Sequence, residues 1–133
     1  WDGFVVPGLG IHCVDTNPWV TGAETCELAM ALDAIGDHER ALALVRDMQH
    51  LREHDGRYWT GWVYDTGRTD EPSDVYWPHE HTTYTAAAVV LAVDALGETH
   101  GHATPGSGIM RGTSLAPHFD EIALECGCES VRS

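Results

Sequence analysis

The chain has 133 residues, 7 of them basic and 21 acidic, for a formal charge of −14. Phosphate backbones are held by clustered cations, so this balance excludes a nucleic-acid partner. All the basic residues are Arg, and without Lys the chain has no amine for Schiff-base chemistry. The sequence opens at Trp1 without an initiator Met or a charged-then-apolar leader, which points to a missing N-terminal portion. Its longest apolar run, 86–93, is too short for a transmembrane segment.

In chain order, the first predicted helix covers 22–35. Thr21 followed by Glu24 has the form of a capping box, and Gly36 suits a left-handed helix end. Ala23, Cys26, Leu28, Ala29, Met30, Ala31, Leu32, Ala34 and Ile35 leave almost no polar face, so this helix must be covered nearly all round. A second helix starts at Asp37, a good N-cap, and carries an apolar stripe of Ala41, Leu44, Val45, Met48 and Leu51. The short link makes it antiparallel to the first. An aromatic-rich loop follows over 54–78, with Asp55-Gly56 as a turn and 57–64 as a possible hairpin. A third helix covers 80–96, with Ala86 to Val93 apolar on every side. Gly97 would end it.

Ala31-Leu32-Asp33-Ala34-Ile35-Gly36 recurs as Ala92-Val93-Asp94-Ala95-Leu96-Gly97. A repeat placed at two helix ends, with helices alternating buried, amphipathic and buried, predicts an all-α fold of repeated α/α hairpins. The expectation is a partial α/α toroid over 1–97 with a short aromatic insertion, then a flexible polar tail over 98–133 with one short helix near 119–126. So few helices cannot close a ring. The rest of the toroid or self-association must then cover their apolar surface. Asp33 and Asp94 are expected at helix ends as packing residues.

Arg40-Ala41-x-x-Leu44-Val45-x-x-x-Gln49, followed by Gly56 and Trp59, resembles the QW repeat of squalene and terpenoid cyclases. Phe4-Val5-Val6-Pro7-Gly8-Leu9-Gly10 and Trp19-Val20-Thr21-Gly22-Ala23-Glu24-Thr25 resemble the C-terminal region of actinobacterial prenyltransferase-like proteins of the same toroid superfamily. This resemblance implies a prenyltransferase-like enzyme fragment, inactive alone, acting on an isoprenoid in a central apolar cavity. The cavity aromatics would be Trp19, Trp59, Trp62, Trp77 and Tyr84. Glu24-x-Cys26 and His81-Thr82-Thr83-Tyr84 resemble the zinc-binding elements of protein prenyltransferase β-subunits. Glu24, Cys26 and His81 would then hold Zn with one position open.

The alternatives are a six-hairpin glycosidase-like protein and a non-catalytic helical scaffold. In the first, Glu24 and Glu80, at successive inner-helix starts, form the acid/base pair and the substrate is a glycan. Other motifs carry less. Asp70-Glu71-Pro72-Ser73-Asp74 is not the DxDD of class II cyclases. Gly8-Leu9-Gly10 lacks the setting of a dinucleotide site. His100-Gly101-His102 and Cys126-Gly127-Cys128 are weak metal candidates. The cysteine spacing fits no secreted disulfide framework, and a cytoplasmic, reducing location is expected.

Overall fold

The computed structural model describes residue 1, residues 3–66 and residues 73–99. The expected tail and its short helix, His100, His102, Cys126 and Cys128 lie outside the described residues. So does most of the Asp70–Asp74 motif.

The fold is mixed α/β, which corrects the all-α expectation. The strands β1 (Val5–Val6), β2 (Gly10–His12), β3 (Trp19–Thr21), β4 (Gly61–Val63) and β5 (Val75–Tyr76) form an antiparallel sheet in the order β1-β2-β3-β4-β5. The helices are α1 (Gly22–Ala34), α2 (His38–Asp47) and α3 (Thr83–Thr99), and α2 runs into a 3-10 turn, Met48–Leu51. The strands are two or three residues long, too short to display the alternation by which a strand is read from sequence. The expected hairpin over 57–64 does not form as such. Its Gly61–Val63 pairs with β3 and β5, while Tyr58 makes an isolated bridge to Arg52. The partial toroid gives way to helices packed on a sheet.

Helix α1 is the centre. It buries Ala23, Thr25, Cys26, Ala29, Met30, Leu32, Asp33 and Ala34. Its C-terminus closes as its sequence predicts: Gly36 sits at φ 87, its N–H donates to the Asp33 carbonyl, and Asp37 N–H donates to the Leu32 carbonyl. These are the two bonds of a Schellman motif. Asp33 accepts from His38 Nδ1 at 2.7 Å, and Asp37 caps α2 through Arg40 N–H. The N-terminus of α1 differs from expectation. The Thr21 side chain makes no capping bond, and Glu24 turns to Cys13. The sheet replaces the box, since Gly22 N–H donates to the Thr60 carbonyl beside β4 at 3.0 Å.

Helix α2 lies antiparallel to α1, and its stripe is buried at Ala41, Leu44, Met48 and Leu51. Full burial of each larger side chain contributes about 1.5–3 kcal/mol. Helix α3 runs parallel to α1: the Tyr84 hydroxyl reaches Glu27 at one end, and Ala92 and Ala95 share a core with Cys26 and Met30. Contrary to the sequence reading, α3 buries one side only. Ala88, Ala92, Ala95 and Leu96 are covered, whereas Val90 is 67% and Val93 55% exposed, because nothing among the described residues packs on that side. Gly97 lies inside the helix instead of ending it. No helix among the described residues is long and apolar enough to cross a membrane.

One close approach ties the sheet to its aromatics. A Cβ at Gly61 would fall on Trp19 Nε1 and lie 2.6 Å from the Val20 carbonyl oxygen. Only a residue without a side chain lets β4 pair with β3 beneath the Trp19 indole. Gly61→Ala is therefore expected to cost about 1–3 kcal/mol of stability and to displace Trp19. Denaturant unfolding monitored by Trp fluorescence checks this, and unchanged stability and spectrum would contradict it.

Candidate functional site

The parallel run of α1 and α3 brings their N-termini to one end of the molecule. There the segment 77–84 crosses from the sheet into α3. Thr82 caps the helix, its hydroxyl accepting from Thr85 N–H at 3.2 Å, and it also pairs with the Thr85 hydroxyl at 2.8 Å. The start of α3 faces two ways. His81, Thr82 and Thr83 face the turn at 55–58, while Tyr84 faces α1.

Between that turn and the first two turns of α3 lies a groove of about 460 Å³, lined by polar Asp55, Arg57, Tyr58 and His81 and by apolar Ala86, Val89 and Val90. This volume falls in the range of small-molecule sites, about 300–1,000 Å³. The turn exists because Gly56 takes φ 93 and because Arg57 gathers its neighbours. Arg57 Nε donates to Asp55 Oδ2 at 2.7 Å, and Nη2 donates to Glu53 Oε2 at 3.1 Å. The Arg57 backbone N–H and guanidinium hold the Asp55 carboxyl below its ordinary range, so it stays an anion and an acceptor. His81 lies tilted over Trp59 at 3.9 Å between centroids, and its Nε2 faces Glu53 Oε2 at 3.4 Å. Tyr58 is pinned by its hydroxyl to Gln49 at 2.9 Å. The groove thus has fixed charges and a phenol on the turn side, His81, Thr82 and Thr83 at the start of α3, and methyl groups of Ala86, Val89 and Val90 further along the helix.

The other side of the α3 start holds carboxylates. The Tyr84 hydroxyl donates to the Glu27 carboxylate. Glu24, partly buried on the first turn of α1, accepts from the Cys13 thiol at 3.6 Å. Burial, then the Glu24 charge, pushes the Cys13 thiol up, so it remains a protonated donor.

The expected cavity aromatics are spread over three places. Trp59, at 9% exposure, stacks on Tyr76 and meets His79 and His81 in tilted contacts, and Trp62 meets His50 and Tyr76. Trp19 and Trp77 form a separate edge-to-face pair, with Trp19 Nε1 donating to the Trp77 carbonyl at 2.7 Å. Tyr84 belongs to the carboxylate edge. The proposed zinc ligands are also separated. The Cys26 thiol is buried against Met48 Sδ at 3.4 Å, with burial pushing its pKa up to about 12, whereas His81 lies over Trp59. Among the described residues no three His, Cys, Asp or Glu side chains are grouped to hold a metal ion. Glu24 and Glu80 share the end where α1 and α3 begin, and Glu80 is exposed on the segment leading into α3. Glu53, Asp55, Arg57 and Glu27 were not singled out from sequence. The Asp55-Gly56 turn was the available signal, because a turn that places three charges within five residues builds a rigid ion cluster.

No protein-family model matches the chain. It is 57% identical over 128 residues to a Mycolicibacterium hassiacum protein named MMP endo-(1,4)-3-O-methyl-alpha-D-mannosidase. The match takes in 96% of this chain and 32% of that protein, so the chain spans about a third of its relative's length. A relative with a glycosidase name overturns the resemblance to prenyltransferases and terpenoid cyclases, and with it the isoprenoid substrate. The residues behind that resemblance are a buried Ala-rich helix and an amphipathic one, which any layered fold can use, and a Gly56 and Trp59 engaged in turn and stacking roles.

The hydrogen bond between Tyr84 and Glu27 has a measurable signature. The Glu27 carboxylate raises the Tyr84 pKa to about 12 from an ordinary value near 10. A folded pKa above the unfolded one means that the bond stabilises fully below pH 10 and is lost as pH rises through about 12. Ultraviolet titration of phenolate is expected to show one Tyr ionising late, and Glu27→Gln to bring it back toward 10. A late Tyr unaffected by Glu27→Gln would contradict the assignment.

Proposed function

We propose that this chain is part of a glycoside hydrolase acting on an α-(1,4)-linked, O-methylated mannose polysaccharide. The observation that carries this reading is the 57% identity, extending over 96% of the chain, to a protein named for that activity. The groove agrees with it. A sugar ring offers hydroxyls at its rim and C–H groups on its faces. The wall of Asp55, Arg57 and Tyr58 suits the first, and Ala86, Val89 and Val90 suit the second.

Glycoside hydrolysis uses two carboxyl groups, one protonating the departing oxygen and the other attacking or activating water. Glu24 and Glu80 are our candidates, because the parallel helices bring both to the end of the molecule where α1 and α3 begin, although neither lines the groove. Glu24 is partly enclosed and held through Cys13, as an acid or base requires. Glu27 is already committed to Tyr84 and serves to fix the α3 start. Arg57 keeps Asp55 ionised, which fits it to accept from sugar hydroxyls.

The test is release of reducing ends from 3-O-methylmannose polysaccharide by the protein that carries this chain. Cleavage is expected, and Glu24→Gln or Glu80→Gln should slow it by about 10²–10⁴-fold, the usual contribution of a general acid or base. An uncleaved polysaccharide would refute the function. Full activity in both variants would refute the carboxylate assignment.

A further inference from the structure

We infer that the apolar wall of the groove recognises the methyl ethers of the sugar, with Val89 and Val90 as specificity-determining residues. This inference rests on the glycosidase reading above and assigns to named side chains a discrimination that the reading leaves open.

The two sides of the groove differ in chemistry. Hydroxyl recognition needs fixed polar groups, and these come from the turn: Arg57 is clamped by Asp55 and Glu53, and Tyr58 by Gln49. A sugar whose hydroxyls were all free would gain from polar groups on both sides, since a hydroxyl facing methyl groups loses its water without replacement. On the opposite side Thr82 and Thr83 put hydroxyls at the helix start only, and beyond them Ala86, Val89 and Val90, at helical spacing on one face of α3, offer none. Val90 is 67% exposed, so an occupant pressed against it would remove apolar surface that is wet in the free chain. Replacing a sugar hydroxyl by a methyl ether removes a donor and adds a methyl group, and this wall suits that change. Burying one methyl is worth roughly fourfold in affinity, and a wall contacting two methyl ethers would give roughly fifteenfold.

The exposure of Val90 also makes the test clean, because a polar side chain there disturbs no core. Binding of α-(1,4)-mannotetraose and of its 3-O-methylated counterpart to the protein that carries this chain is measured by calorimetry. The native chain is expected to favour the methylated sugar by roughly fourfold or more. Val90→Ser and Val89→Thr should bring the ratio close to one. Val93→Ser, on the same helix but outside the groove, should keep it. Circular dichroism confirms that each variant is folded. If the native chain binds both sugars equally, the inference falls while the glycosidase reading stands. A preference that survives both groove variants places methyl recognition elsewhere and overturns it. Binding of neither sugar removes the glycosidase reading and the inference together.

Discussion

The structure depends on one constraint: α1 is apolar over most of its surface and offers water only the narrow side that carries Glu24 and Glu27. A helix of this kind is stable only if most directions around it are occupied. Helix α2 with its 3-10 turn, helix α3 and the sheet each take one direction, and their buried side chains meet in clusters around Ala23, Cys26, Met30, Ala29 and Leu32. The remaining architecture follows. The Gly36 turn sends α2 back antiparallel, while the long excursion through β4 and β5 returns the chain so that α3 starts beside the start of α1. Parallel α1 and α3 are what gather His81, Tyr84, Glu24 and Glu27 at one end.

The sheet serves as the frame that makes this return accurate. Its outer strands are short, yet the Thr60 and Gly61 backbone links three elements. Gly22 N–H donates to the Thr60 carbonyl, Thr60 N–H to the Glu80 carbonyl, and Trp77 N–H to the Gly61 carbonyl. The first turn of α1, strand β4 and the segment entering α3 are therefore held in mutual register by backbone bonds. Backbone bonds of this kind hold a site more firmly than long side chains do. The groove inherits that rigidity on its helical side, and on its other side from the Arg57 ion cluster.

How much of this was legible in the sequence differs by element. The α1 and α2 segments were, because a long apolar run and a spaced stripe have a local periodic signature, and because Gly36 and Asp37 are strong punctuation. The strands were not. Trp19–Thr21 pairs with Gly61–Val63 across some forty residues, and neither segment is long enough to show alternation. With the sheet unseen, a buried, amphipathic, buried helix order suggested hairpins closing on themselves, and the family resemblance reinforced that error. The placement of the candidate groove was legible in part. The 54–78 loop and the helix starts were identified as places for chemistry, and Glu24, Glu80 and His81 do stand at one end. The polar wall was missed, because Glu53, Asp55 and Arg57 look like an ordinary solvated turn until Arg57 is seen to bind both acids. The exposed side of α3 was also missed, since composition alone cannot say which part of an apolar helix lacks a partner.

The central claim is that a sugar chain lies between the 55–58 turn and the first turns of α3. Mapping backbone amide shifts by NMR, as the full chain is titrated with 3-O-methylated mannotetraose, tests it most directly. The account predicts the largest changes at Asp55, Arg57, Tyr58, His81 and Val90. Changes confined to the Trp19 and Trp77 pair on the far side of the sheet, or no changes at all, would contradict it.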